Sequence, residues 1–273
     1  MVAEVLEPYV ASLTAYDITM PAPGIHRGLP APTLTFVLPV GDPLEVSWAD
    51  APETHRSGWS SVSGLHTGPA HIHHGLRQAG IQIAITPLGS RALLGLPIGE
   101  VSGELLDLDD LGSDLPAPLS RLPEELHGIL DARERSRLVE RRLVEALVET
   151  GAPAPRAEVG LALAALTRGA PVGRVSEEAG YSRRRLSTLF RAECGIGPKE
   201  FQRIARFAAS RQRWGRRLAT GDGSLARVAS ECGYADQSHL TREWVALAGC
   251  TPTAWAREEF PFVQDVALET AAT

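Results

Sequence analysis

The chain has 273 residues, 44% hydrophobic and 22% charged, with a formal net charge of −6; this is room for one large or two smaller packed domains. No stretch approaches the roughly 20 uninterrupted apolar residues of a membrane span, and the acidic start "MVAEVLEPYVASL" lacks the basic-then-apolar pattern of a secretory signal, so a cytoplasmic protein with no membrane partner is expected. Cys194, Cys232 and Cys250 are odd in number and have no C-x-x-C spacing, which points to reduced thiols and away from a disulfide frame or a zinc site.

The net charge hides an uneven distribution. Residues 1–155 carry 10 Arg against 20 Asp and Glu, whereas residues 156–260 carry 17 Lys and Arg against 11 acids. An acidic front joined to a basic back suggests that only the back half meets a polyanion. The basic excess peaks over 183–217, where 11 cationic side chains stand against Glu193 and Glu200.

In chain order, the first hundred residues read as β-rich. "TLTFVLPVGDPLEVSW" predicts a strand, a Gly-Asp-Pro turn and a second strand, and "AHIHHGLRQAGIQIAIT" predicts another pair turning near Gln78 to Gly80. "LGSDLPAPL" (111–119) reads as a loop closing this region. Helical spacing then begins at Leu119, Leu122, Leu126, Ile129 and Leu130, and recurs at Leu138, Val139, Leu143, Val144 and Leu147. By elimination, 119–149 is the expected contact if the protein forms a homodimer. "TGAPAPRAE" is a Pro/Ala/Gly break, beyond which every segment reads helical.

The expected architecture is therefore α+β in two domains. Residues 1–150 form a β-rich sensing or dimerisation domain, barrel-like or α+β, that ends in helices. Residues 151–155 link it to an all-α domain over 156–260, and 261–273 form a tail.

An internal repeat points to what the helical half does. "VSEEAGYSRRRLSTLFRAECGIGPKEF" (175–201) returns as "VASECGYADQSHLTREWVALAGCTPTAW" (228–255). At an offset of 53, Gly180 meets Gly233 and Tyr181 meets Tyr234; after one inserted residue, Leu186 meets Leu240, Phe190 meets Trp244 and Pro198 meets Pro252. Each copy has the logic of a helix-turn-helix: a short helix, a turn glycine, and an N-cap (Ser182 or Asp236) opening a second helix. Leu186, Leu189 and Phe190 form the buried stripe of one second helix, and Leu240 and Trp244 that of the other. Arg184, Ser187, Thr188 and Arg191 are left facing outward in the first copy, and Gln237, Ser238, Thr241 and Arg242 in the second. These are side-chain types suited to base edges in a major groove. "PKEFQRIARFAASRQRWGRRLAT" between the copies predicts a helix on the order of 30 Å long, close to one turn of B-DNA at roughly 34 Å.

The span from about 156 to 260 resembles the AraC/XylS family of bacterial transcription regulators, on "AGYSRRRLSTLF", "GIGPKEF", "RIARF", "VASECGYADQSHLTREW" and "GCTPTAW". The resemblance implies two helix-turn-helix units joined by a long helix, promoter or operator DNA as partner, and transcriptional control, with RNA polymerase as a further partner. Arg183, Arg184, Ser187, Thr188, Arg191, Gln237, Ser238, His239, Thr241 and Arg242 are the expected DNA contacts, with Arg184 on bases and Arg183 and Arg185 on phosphates. Two departures stand out. Ser176 replaces a usual alanine, and "EWVALAG" lacks basic residues common at that helix end, so weaker phosphate contact is expected from the second unit. "FVLPVGDPLEVSW", "SGLHTGP" and "ITPLGSRALLGLPIGEVSGELLDLDDL" resemble a poorly characterised N-terminal domain of some actinobacterial members, which implies a small-molecule effector without identifying it.

Other classes are weaker. His66, His71, His73 and His74 invite a metal-sensing reading, with His71 and His73 on one face of a strand, but polar surface or hydrogen-bonded pocket residues are the expected role. No G-x-S-x-G, Walker loop or dinucleotide fingerprint is present, so neither catalysis nor a cofactor is expected. The alternatives are an enzyme-like or metal-sensing front half tethered to DNA, or a ligand-binding module whose helices serve protein contact only.

Overall fold

A computed structural model describes residues 2–112 and 115–258; the expected tail, 261–273, lies outside the described residues. Among the described residues, nine strands open the chain: β1 (Val10–Thr19), β2 (Gly24–Gly28), β3 (Leu34–Val40), β4 (Leu44–Trp48), β5 (Ala51–Gly58), β6 (Ser61–Ser63), β7 (Ala70–His74), β8 (Arg77–Ile85) and β9 (Leu105–Leu106). They form two antiparallel sheets, of order β1-β8-β3-β6-β9 and β2-β7-β4-β5. The expected α+β architecture is present, with a β-rich front and a helical back.

Strict alternation gives the first sheet one fully apolar face. Leu34, Phe36 and Leu38 on β3 and Ile81, Ile83 and Ile85 on β8 are wholly buried, with Phe36 opposite Ile83. This face packs under α3 (Leu122–Leu126) and α4 (Ala132–Thr150). Asp131 caps α4 by accepting from the Glu134 amide at 2.8 Å. Its Leu138, Val139, Leu143, Ala146 and Leu147 stripe fills the core. The segment expected to serve a dimer thus spends its apolar face inside its own chain.

The expected strand, Gly-Asp-Pro turn and second strand are present as β3 and β4, which belong to different sheets, so the turn carries the chain across the fold. Three local expectations are corrected. The β7–β8 connection falls at residues 75–76 and not at Gln78 to Gly80, because Gln78 and Gly80 already pair with Ile18 and Tyr16. Gly80 is a close-approach glycine: a Cβ there would lie 2.5 Å from the Leu38 carbonyl oxygen and 2.8 Å from the Tyr16 hydroxyl. Within the stretch read as β-rich, α1 (Pro87–Leu94) forms on the Thr86 cap, which accepts from the Gly89 amide at 3.0 Å. The helical run from 119 breaks into α2 (Ala117–Ser120) and α3, and Leu130 is 88% exposed beyond their end.

Seven further helices follow among the described residues: α5 (Ala157–Thr167), α6 (Val172–Glu178), α7 (Arg183–Cys194), α8 (Pro198–Ala219), α9 (Leu225–Glu231), α10 (Gln237–Ala248) and α11 (Pro252–Glu258). Two cores divide them unevenly. Val159, Leu163, Leu166, Val175, Leu186, Phe190 and Phe201 join the same core as the first sheet and α4. Phe207, Trp214, Leu225, Val228, Leu240, Trp244 and Trp255 form a second core, to which the sheet half contributes Leu29. The coil at residues 151–156 therefore separates helices without separating cores.

Candidate nucleic-acid interface

The two repeats fold as two helix-turn-helix units, α6–α7 and α9–α10. Their turns are built alike. The Tyr181 amide donates to the Ser176 carbonyl (3.0 Å) and the Gly180 amide to that of Glu177 (3.1 Å); Tyr234 does the same to Ala229 (2.9 Å) and Gly233 to Ser230 (3.3 Å). With Gly180 and Gly233 at φ +69° and +73°, this is the Schellman termination that a glycine makes easy. Ser182 then accepts from the Arg185 amide at 3.2 Å, and Asp236 from the His239 amide at 2.7 Å, opening α7 and α10. The inserted residue is Ala235. Its amide donates to His239 Nδ1 at 3.3 Å, leaving Nε2 as the proton-bearing nitrogen directed away from that bond.

Leu186, Phe190, Leu240 and Trp244 are wholly buried, and Leu189 is half-buried. Arg183, Arg184, Arg185, Thr188 and Arg191 are exposed on α7, with Ser187 half-buried. Gln237, Ser238 and Arg242 are exposed on α10, with His239 and Thr241 half-buried. The threonine hydroxyls bond back to their own helices, Thr188 to the Arg184 carbonyl (3.1 Å) and Thr241 to that of Gln237 (2.9 Å), which leaves each with a free acceptor. Two arginines lean sideways. The Arg183 guanidinium lies across Gly173 on α6, and that of Arg191 across Gly197. Ser176 is buried with its hydroxyl on the Gly173 carbonyl at 2.8 Å, so its polarity is satisfied locally.

The linker α8 runs 22 residues, about 33 Å at 1.5 Å per residue. Many of its cations are already engaged. Arg203 and Arg206 hold Glu243 (2.9 and 3.5 Å), Arg213 holds Glu231 (3.5 Å), and Arg217 pairs with Asp222 and Glu231. Arg183, Arg184, Arg185, Arg191, Lys199 and Arg242 have no acidic partner among the described residues. Free positive charge therefore concentrates on the first unit, and α10 presents the half-exposed Val245 where α7 presents Arg191.

Three features escaped the sequence. Glu243 ties α10 to the linker, and Arg206 also lies over the Tyr234 ring (4.7 Å), whose edge meets His239 (5.3 Å). Tyr181 donates to Glu158 at 3.0 Å, tying the first turn to α5. Glu193 and Arg91 form a bidentate pair, Nε to Oε1 at 2.7 Å and Nη2 to Oε2 at 2.9 Å. The hydrogen-bonded partners are 23 to 102 residues apart, and no periodicity links them. Cys194 is buried, and burial pushes its thiol far above the ordinary range, as suits a core residue.

The histidines do not converge. His66 stacks on Trp48 (4.7 Å) and bonds the Gly68 carbonyl (2.6 Å), His73 meets His55 edge-on (5.4 Å), and His74 lies beside His26 (5.6 Å). Among the described residues no three His, Cys, Asp or Glu side chains stand where they could hold a metal, and no helix is long and apolar enough to cross a membrane.

Residues 175–258 match a family model described as a helix-turn-helix domain. No curated protein sequence matches the chain significantly. Among solved structures, ToxT from Vibrio cholerae is similar at 12% identity and a TM-score of 0.51, over 91% of this chain and 97% of that one. An apo single-residue variant of ToxT gives 10% and 0.52, over 89% and 96%. ToxT bound to an unsaturated fatty acid gives 11% and 0.50, over 90% and 94%. At such identities the likeness is one of fold, and it extends across both halves of the chain.

Proposed function

We propose that this chain, which carries an AraC-type helix-turn-helix domain over residues 175–258, is a sequence-specific DNA-binding transcription regulator with a ligand-sensing β half. The observation that carries the reading is the duplicated unit itself. Two capped helices, α7 and α10, leave polar and cationic side chains outward, and a linker about one B-DNA turn long joins the units. On this reading Arg184, Ser187 and Thr188 face bases from α7, and Gln237, Ser238, Thr241 and Arg242 from α10. Arg183, Arg185, Arg191 and His239 lie toward phosphates.

Support for sensing comes from the space between the sheets. The first sheet places Tyr16 beside the second, near a small cluster of Val37, Leu44, Val46, Ala70 and Leu105. A cavity of about 650 Å³ opens there, lined by Tyr16, Ile25, Val40, Leu44, His73 and Arg77 among others. That size suits a small molecule, and a solved structure of the same fold holds an unsaturated fatty acid.

Selection from a randomised double-stranded DNA library with the full-length protein tests the proposal. A bipartite sequence should emerge, with Arg184→Ala and Arg242→Ala each relaxing a different half at a cost of ~1–3 kcal/mol. Retention of no preferred sequence, or equal weakening on selected and random DNA, defeats the base-reading roles.

A further inference from the structure

The two reading helices are equivalent in sequence and fold, yet they are held from different directions. At the repeat offset, Glu193 of α7 corresponds to Leu247 of α10, and Glu243 of α10 corresponds to Leu189 of α7. Each unit thus has one anchoring glutamate where the other has leucine. Glu243 reaches Arg203 and Arg206 on the linker. Glu193 reaches Arg91 on α1 of the β half, with 7% of its side chain exposed against 30% for Arg91. A fork of two charge-assisted bonds fixes direction as well as distance.

The backbone reinforces that direction. The 3₁₀ turn Ile98–Val101 of the β half lies against the C-terminal end of α7. A Cβ on Gly99 would sit 2.7 Å from the Gly195 nitrogen, and one on Gly195 would sit 2.6 Å from the Ser102 Cβ. The second unit meets the β half differently among the described residues. The equivalent Gly249 is 3.4 Å from the Pro69 ring by the same measure, Leu29 enters the second core, and Arg27 pairs with Glu258 at 3.1 Å.

We propose that Arg91 and Glu193 are a positioning pair through which the β half aims the first reading helix, while Glu243 aims the second from the linker. The pair then sets the spacing that the protein accepts between its two DNA half-sites. The inference rests on the DNA-reading function above, and a wild-type protein that selects no bipartite DNA sequence defeats that reading first.

With the selected sequence in hand, affinities are measured for full-length wild type, Glu193→Gln, Arg91→Gln and the double variant. The DNA probes are the selected site and versions one base pair longer or shorter between the halves. Wild type should prefer the selected spacing. Either single variant should lose roughly tenfold of that preference, as expected for removing a charged hydrogen-bond pair, while keeping base preference within each half. The double variant should lose no more than a single one, the signature of a coupled pair. Arg91→Lys, which keeps the charge and loses the fork, serves if a glutamine variant does not fold, and should fall in between. Weakening by the same factor at every spacing marks a merely structural pair and overturns the proposal, as do losses that add in the double variant.

Discussion

The two helix-turn-helix units share a turn, a cap and a buried stripe, and differ in what surrounds them. The first is part of the β half's core, through Leu186, Phe190 and Phe201, and carries a run of arginines with no acidic partner among the described residues. The second has its own aromatic core, in which Trp244 meets Phe207 and Trp255 edge-on (5.1 and 5.5 Å) and donates from Nε1 to Ser210 at 3.0 Å. Its reading helix carries one arginine, Arg242. Repetition thus conserved the local device, and the surroundings divided the work. On the proposed reading, electrostatic attachment falls mainly to the first unit, while both units read bases, the second through Gln237, Ser238, Thr241 and Arg242.

The largest effect should come from cutting the two cores separately. Trp244→Ala should cost ~3–5 kcal/mol and raise amide exchange in α8 to α11 alone. Phe190→Ala should cost a similar amount and raise exchange in the β half as well. Exchange confined to α6 and α7 in the second variant would break the claim of a shared core.

Acid should weaken the β half next. Burial, with His74 nearby, pushes His26 down from 6.5 to about 4, and burial lowers His66 too. A depressed histidine favours the neutral folded form. Its stabilisation is complete above about pH 6.5 and is lost as the pH falls toward 4. For His26 the loss is on the order of 2–3 kcal/mol. Denaturant midpoints measured from pH 7.5 to 4.5 should fall, and His26→Gln should flatten the fall. A wild-type midpoint independent of pH contradicts the assignment.

Salt dependence sharpens the comparison of the units on DNA. Replacing Arg183 and Arg185 by Gln should lower the slope of log affinity against log salt by about 1 for each true phosphate contact. The change should be the same on selected and random DNA. Arg242→Gln should alter the slope by no more than that, and should relax sequence preference in one half-site.

The smallest effect separates the two C-cap glycines, both at positive φ, +73° and +68°. Gly249→Ala should cost ~1 kcal/mol from backbone conformation alone. Gly195→Ala should cost more, because its new methyl meets Ser102. Equal melting shifts would mean that the β half yields at that contact.

Much of the helical half was legible because its determinants are local. Caps, turn glycines and stripes at i, i+3 and i+4 act within one or two helical turns, so reading 175–255 against itself placed α6, α7, α9 and α10. The exposed candidates on α7 and α10 followed by subtraction. The β half was legible as strands and not as a sheet order. Alternation marks β3, β4, β7 and β8 equally well, and nothing local tells that β3 and β8 pair while β4 joins the opposite sheet. Gly80 shows the same limit. A turn glycine and a glycine beneath a crossing tyrosine look alike in sequence.

By itself, then, the sequence determined the duplicated reading unit, its spacing and its uneven charge, since each depends on residues close along the chain. Only the tertiary structure decided that Arg91 meets Glu193, that Glu243 meets the linker, and that the first unit shares a core with the β half. Those partners become neighbours through packing across separations of up to 102 residues, which no local pattern encodes.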